Sequence, residues 1–285
     1  MPAERETPAS DRPIIWLASY PKSGNTWTRI LLSNLIRDKE ASRLIELAGS
    51  ISSNRPLFDA LSGLPSSDLT DDEVDLLRAD VYRSIASEAE SQLFIKVHDA
   101  YHDDGNGKPI FPADCSAGAI YLVRDPLDVA VSYSFHQGHG DFAKMAKAMN
   151  SSKALAGGSS SQLRQKALSW TGHYRSWHEQ SDIPLLTIRY EDMIADTAGC
   201  LIRMARFARL EAADNPEKIA RAVDDARFEK LQAREAEEGF GERPEKAERF
   251  FRSGRTGEGR EVLPRDIQEE IIEVNGELMA ELGYL

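Results

Sequence analysis

Nine residues near the N-terminus, Ser19-Tyr20-Pro21-Lys22-Ser23-Gly24-Asn25-Thr26-Trp27, combine a small-residue turn, one lysine and several hydrogen-bond donors directly after an apolar run at 14–18. A strand, a tight turn and a helix start leave backbone N–H groups pointing outward, and the helix dipole adds partial positive charge. Lys22 supplies a full charge and the Ser23 and Thr26 hydroxyls supply donors, so the turn reads as a phosphate site. It is not a Walker A loop, which requires G-x-x-x-x-G-K-[ST], because Lys22 precedes Gly24. A second candidate follows the apolar run at 119–123, where Arg124 opens Arg124-Asp125-Pro126 and Ser132 lies eight residues on. A guanidinium at a strand end can grip a phosphate through two parallel hydrogen bonds, and an ion pair capping the next helix is the other reading. A third run, 93–97, leads into Lys96-Val97-His98-Asp99. His98 is of the type that accepts a proton near neutral pH, and a position just past a strand belongs to the crevice where α/β sheets hold ligands. A surface or structural histidine is the plain alternative.

The string Tyr20 to Trp27 resembles the 5′-phosphosulfate loop, Tyr-Pro-Lys-Ser-Gly-x-x-Trp, of the soluble sulfotransferases that use 3′-phosphoadenosine 5′-phosphosulfate (PAPS). Further motifs of that family follow in order. Arg124 with Ser132 resembles its 3′-phosphate motif, Arg-(x)7-Ser, and Tyr190-Glu191-Asp192-Met193 its Tyr-Glu-Asp-Met. Phe228 stands where the family has a phenylalanine packed on adenine, and Phe250-Phe251-Arg252-Ser253-Gly254-Arg255-Thr256-Gly257 resembles its Phe-x-Arg-Lys-Gly-x-x-Gly loop. The chain departs from the pattern at Ser253 (usually Lys), Gly259 (usually Trp) and Val97 (usually Thr), and Arg255 is the cation nearest to making up for the missing lysine.

The resemblance covers residues 14 to about 257 and implies a sulfotransferase moving a sulfuryl group from PAPS to a hydroxyl of a small-molecule acceptor. It implies that Lys22, Ser23, Gly24, Asn25, Thr26 and Trp27 hold the 5′ side of the donor. Arg124, Ser132, Phe251, Arg252, Ser253 and Gly254 would hold the 3′-phosphate side, with Tyr190, Phe228 and Trp27 around the nucleoside. His98 would be the general base of an in-line transfer that calls for no metal, with Lys22 at the leaving oxygen and Lys96 either at the sulfuryl oxygens or a solvated strand residue. Two other classes stay open: a P-loop-related nucleotide kinase or hydrolase, and a non-catalytic nucleotide-binding protein on the same fold. The C-terminal segment does not reproduce the dimerisation sequence of the animal cytosolic members, which leaves the oligomeric state open.

These groups need a scaffold. The runs at 14–18, 93–97, 119–123 and 185–188 are short and aliphatic, as strands buried on both faces are. Helical spacing follows the first run (Ile30, Leu31, Leu35) and the fourth (Leu201, Met204, Ala205, Ala208). At 264–282, Ile267, Ile271, Val274 and Leu278 form one stripe, with Pro264 near the start and Gly283 past the end. Alternation of strand and helix predicts a single α/β domain over 14–285: a mainly parallel sheet flanked by helices, with a P-loop-like turn after the first strand. Residues 1–13 read as a flexible leader. Residues 150–161, rich in Gly and Ser, read as a flexible loop, either a lid or an unstructured connection, and 227–260, rich in Glu and Arg, as a solvated helix and loop. Acceptor-pocket walls are expected from 50–65, the segment after His98 and 136–165, where His136 and His139 fall. His173 and His178 share a helical segment with Trp170 and Trp177, which reads as core plus a solvated side.

Composition narrows the partners. A net charge of −12 argues against nucleic acid or a polysulfated glycan, because tracking a polyanion requires a broad cationic surface. Two cysteines, Cys115 and Cys200, far apart and without metal-ligand spacing, argue against a disulfide framework and a zinc site. No secretory h-region and no run of about 20 apolar residues is present, so the expectation is a cytoplasmic protein without a membrane span.

Overall fold

All six residues of β1 (Ile14–Ser19) are removed from solvent, Ile14, Trp16 and Ala18 into one layer and Ile15 and Leu17 into the other. A strand covered on both faces has apolar residues at successive positions, and hence the unbroken apolar run in the sequence. The computed structural model describes residues 11–37, 50–138, 140–244 and 246–285. After β1 come α1 (Asn25–Ile36), α2 (Arg55–Ser62), α3 (Asp71–Ser87) and β2 (Leu93–Val97). Then follow β3 (Ser116–Val123), α4 (Pro126–His136), α5 (Phe142–Met149), β4 (Leu155–Gly157), β5 (Arg164–Lys166) and α6 (Trp170–Glu179). The last stretch holds β6 (Leu185–Arg189), α7 (Tyr190–Ala195), α8 (Thr197–Phe207), α9 (Pro216–Asp225), α10 (Phe228–Glu238), α11 (Glu258–Val262) and α12 (Arg265–Glu281).

The chain folds as one α/β domain around a four-stranded sheet of order β2-β1-β3-β6, every pair parallel. Helices α1, α8 and α9 cover one face through Ile30, Leu31, Leu35, Leu201, Met204 and Ile219. Helices α4, α5, α6 and α12 cover the other, where Trp16, Tyr121, Trp170 and Trp177 are buried. The chain leaves β1 for β2 on one side and later returns to β3 on the other. The carboxyl ends of these three strands therefore lie side by side at a reversal of strand order, which is where open α/β sheets form ligand crevices. Register makes this concrete. Ala18 pairs with Val97 and Ser19 with Leu122, so His98 falls beside Ser19 and Arg124 lies just beyond the turn.

Three expectations change. Residues 150–161 are not a featureless loop: Leu155–Gly157 pairs antiparallel with Arg164–Lys166 in a hairpin. Lys166 O accepts from Ala100 N (2.7 Å) and Leu163 N donates to Ser53 O (2.8 Å), so the hairpin joins the 50–65 segment to the one after His98. On α12, Ile267, Ile271 and Leu278 are buried but Val274 is 50% exposed. Asn275, its neighbour, is buried instead, because its amide donates to Asn150 Oδ1 and Ile271 O and accepts from Thr171. The charge-rich 227–260 segment is not simply solvated. Glu235 and Glu258 are buried, the first accepting from Phe250 N and Phe251 N and the second from Arg252. Of the stretch read as a leader, residues 1–10 lie outside the described residues, while Arg12 donates to Ala113 O and Pro13 O accepts from Leu93 N.

Candidate active site

The turn after β1 is built around two left-handed residues, Lys22 (φ 70°) and Gly24 (φ 102°). Gly24 is required twice over, since a Cβ there would also meet Tyr190 Cδ2 at 2.8 Å. Lys22 is not a glycine and its backbone costs about 1–2 kcal/mol in this region, strain of the sort found at functional sites. Asn25 ties the turn to the strand by donating to Leu17 O (2.7 Å) and Ser19 Oγ (3.2 Å). No side chain caps the N-terminus of α1, and no acidic residue lies in its first turn. The Ser23 hydroxyl is buried without a protein partner. Uncapped N–H groups and an orphaned donor fit an anion at this turn.

Lys22 Nζ stands 3.2 Å from His136 Nδ1 and 4.4 Å from the centre of the Phe250 ring. Burial, then the neighbouring charges of Lys96 and Arg124, lower its pKa to about 7. Lys96 Nζ pairs with Glu242 Oε2 at 2.8 Å, and Glu242 also accepts from Arg29 and from Thr26 Oγ1 (3.4 Å). Burial opposes the charge on Glu242, but Lys96 and Arg29 outweigh it and hold its pKa at about 2.

His98 Nδ1 is 2.9 Å from Ser19 O. A carbonyl can only accept, so Nδ1 carries the proton and Nε2 is the basic nitrogen of the neutral ring. Burial first and Lys96 second depress its pKa to about 3, so the ring is neutral at physiological pH. Behind it, Asp99 is fully buried and accepts from Arg78 Nη2 (2.7 Å) and Lys166 N (2.9 Å), while Trp177 Nε1 donates to Asp99 O. Breaking such a buried ion pair costs about 3–5 kcal/mol, so the backbone that carries His98 is firmly seated.

Arg124, at the end of β3, donates to Lys22 O (3.3 Å) and Arg255 O (2.9 Å) and lies 4.3 Å over the Tyr190 ring. Its Nη2 is 3.5 Å from Asp128, whereas Asp125 caps α4 by accepting from Leu127 N, so Arg124 is not the cap itself. Trp27 packs edge-on to Tyr190 (5.9 Å) and donates to Ala226 O. Phe228 presses on Gly254, where a Cβ would meet its ring at 2.3 Å. Arg252 pairs with Glu258 (Nη1 to Oε1 2.7 Å) and covers Phe135 at 4.5 Å, and Glu258 also meets Ser253 and Arg255. Asp128 accepts from Gly257 N and Gly259 N, docking the 253–259 loop on α4. A Cβ at Gly259 would meet the Leu127 carbonyl carbon at 2.3 Å, so this packing excludes the tryptophan of the resembled pattern.

Hydrogen bonds, ring contacts and charge interactions thus link Lys22, Thr26, Lys96, His98 and Arg124 around the ends of β1, β2 and β3. Tyr190, Trp27, Phe228, Gly254 and Arg252 form the flank. Ser132 is half-buried on α4. Phe251 is packed among Phe240 and Phe250 rather than beside the cations, and Phe250 takes that place. Sequence reading missed Glu242, Phe250 and the Lys22–His136 contact. The sequence signal for Phe250 was in the motif itself, since it and not Phe251 is the phenylalanine of the Phe-x-Arg-Lys-Gly pattern. Glu242 carried none, being one acid among many. His139 lies outside the described residues. His173 is buried and shares a hydrogen bond with Tyr121 OH at 2.8 Å.

The depressed histidines set an acid limit on stability. His98 and His136 are held near 3 and His173 near 4, each chiefly by burial. In the unfolded chain all three take up protons around pH 6.5. Their contribution is complete above that value and is lost as pH falls toward 4, because the unfolded state then binds more protons. Asp125, raised to about 6 by burial and then by Asp128, works in the opposite sense between about 6 and 4. One group opposes three, so the urea midpoint should be lower at pH 5 than at pH 7. An unchanged or higher midpoint would show that these rings are not held neutral.

Among the described residues no helix is long and apolar enough to cross a membrane, and no group of three or more His, Cys, Asp or Glu side chains could hold a metal ion. A model of the sulfotransferase domain family matches residues 12–283. The chain is 26% identical to the amine sulfotransferase of Oryctolagus cuniculus over 220 residues and 28% identical to the luciferin sulfotransferase of Photinus pyralis over 231, covering 76% of this chain in both cases. It spans 62% and 56% of the lengths of these two relatives. Its fold is similar to that of mouse sulfotransferase SULT7A1 complexed with PAP, with a TM-score of 0.61 at 18% identity over 96% of this chain and 86% of that one.

Proposed function

The chain belongs to the sulfotransferase domain family, and from that premise we propose that it transfers the sulfuryl group of PAPS to a hydroxyl of a small-molecule acceptor. The observation that carries this reading is the meeting of an anion-ready turn, a second cationic centre at Arg124 and a neutral His98 whose basic nitrogen is Nε2. In the proposed roles, the turn from Lys22 to Trp27 holds the 5′ side of the donor, and Arg124, Ser132, Arg252, Ser253 and Gly254 hold the 3′-phosphate. Tyr190, Trp27 and Phe228 flank the nucleoside, and stacking on a base contributes about 1–3 kcal/mol per ring. Phe251 supports the loop from the core.

The acceptor oxygen forms a bond to sulfur as the bond from sulfur to the phosphate oxygen breaks. His98 Nε2 takes the acceptor's proton, and the Lys22 ammonium meets the charge that develops on the departing oxygen. Lys96 supports the sulfuryl oxygens. The donor arrives already activated, and every remaining task (binding, orientation, proton removal) falls to groups of this chain. The three linked segments around Ser53, Ala100 and the β4–β5 hairpin are proposed as acceptor walls.

The test is a thermal-shift comparison of 3′-phosphoadenosine 5′-phosphate (PAP), ADP and ATP with magnesium, followed by transfer of label from PAPS to a panel of phenols, alcohols and amines. PAP should raise the melting temperature most, because ADP and ATP lack the 3′-phosphate that Arg124 is proposed to read. Equal or greater stabilisation by ADP or ATP would favour a kinase or hydrolase, and PAP binding without any transfer would favour a binding protein.

A further inference from the structure

The Glu242 carboxylate sits where the proposed function needs an anion. It accepts from Thr26 Oγ1 in the first turn of α1, from Arg29 one turn later and from Lys96 at the end of β2. None of these is a sequence neighbour; Thr26 and Glu242 are 216 positions apart. The acid reaches them from the segment between α10 and α11, which also presents Phe250 to Lys22. Lys96, Arg124 and Arg252 all bear on Lys22 in this crevice, and Glu242 is the opposite charge that offsets their repulsion there.

A carboxylate is a small version of a phosphate: acceptor oxygens and negative charge, with fewer of both. A second anion in the same cradle would meet Glu242 as a like charge at contact distance, which is strongly disfavoured. The segment leaves α10 through two glycines that flank the buried Phe240. Gly239 ends α10 with a positive φ (72°), and a Cβ at Gly239 or Gly241 would meet nothing within 4 Å.

We propose that Glu242 is an internal surrogate for the 5′ anion of the donor, seated in the Thr26–Arg29–Lys96 cradle and expelled from it when nucleotide binds. The inference rests on the reading of this turn as the donor's 5′ site. Donor affinity is then a competition with the chain's own acid, and the cradle stays assembled between catalytic cycles.

The experiment measures binding of PAP and of adenosine 3′-monophosphate, which lacks the 5′ group, to wild type and E242Q by calorimetry. E242Q should bind PAP about tenfold more tightly, a gain of about 1.4 kcal/mol, and adenosine 3′-monophosphate no more tightly. Folded E242Q that binds PAP equally or more weakly would make Glu242 a structural brace and end the proposal, while PAP binding by wild type would leave the functional reading standing. Equal tightening of both ligands would reduce the effect to long-range charge and also overturn it. Failure of wild type to bind PAP would remove the functional reading and this inference together. Hydrogen exchange on wild type keeps the question decidable if E242Q does not fold: amides of residues 239–243 should lose protection when PAP saturates the protein, and unchanged or increased protection would refute the displacement.

Discussion

Replacing His98 by alanine should lower turnover about 10²–10⁴-fold, the usual contribution of a positioned general base, with PAP affinity and unfolding temperature close to wild type. The expectation follows from how the ring is held. Parallel register between β1 and β2 delivers His98 next to Ser19, whose carbonyl takes the Nδ1 proton and leaves Nε2 basic. Burial and the nearby Lys96 keep the ring uncharged at neutral pH, which leaves Nε2 free to accept a proton. The neighbouring Asp99 ion pair anchors the backbone from behind, so truncating the imidazole removes the Nε2 acceptor and the bond to Ser19 O without unseating the strand end. Steady-state transfer from labelled PAPS, paired with calorimetry on PAP, separates the outcomes. A wild-type rate in His98→Ala would remove this residue from the mechanism, and a parallel loss of PAP binding would make its role structural.

Lys22→Ala should cost about 10²–10³-fold in kcat, comparable to removing one donor that meets charge developing in the transition state, and should also weaken PAP binding. Alanine keeps the unfavourable positive φ at this position, so what changes is the ammonium and not the backbone strain. The pKa of about 7 supplies a second readout. Burial and then the cations Lys96 and Arg124 drive protons off Lys22, and a bound phosphate would draw one back. Above pH 7, PAP binding to wild type should therefore take up a proton, seen as a binding enthalpy that varies with the ionisation enthalpy of the buffer. Lys22→Ala should abolish that variation. Proton uptake that persists in the variant would assign it to another group.

Much of this was legible in one dimension because the information is local. Each buried strand must be apolar at successive positions, and each strand of the sheet shows up as such a run, within a few residues of its observed bounds. The turn from Ser19 to Trp27 carries its chemistry in consecutive residues, as does Lys96-Val97-His98. Helix α12 was placed correctly, but which of Val274 and Asn275 faces inward depended on Asn150 and Thr171, partners more than a hundred residues away. The 150–161 stretch gave turn residues but no alternation, since a three-residue strand is too short to show a period.

The strands, the turn, His98 and the cations can be read in one dimension, because each is specified by residue type at a strand end. What meets them is set by long-range packing: Glu242 rather than any other acid of the 227–260 segment, and Phe250 and His136 against Lys22. An acid in a charge-rich segment looks the same in sequence whether water or a lysine surrounds it. The difference is made by long-range packing that brings the α10–α11 connection over the ends of β1 and β2, where burial makes pairing with Arg29 and Lys96 the favourable way to keep that charge.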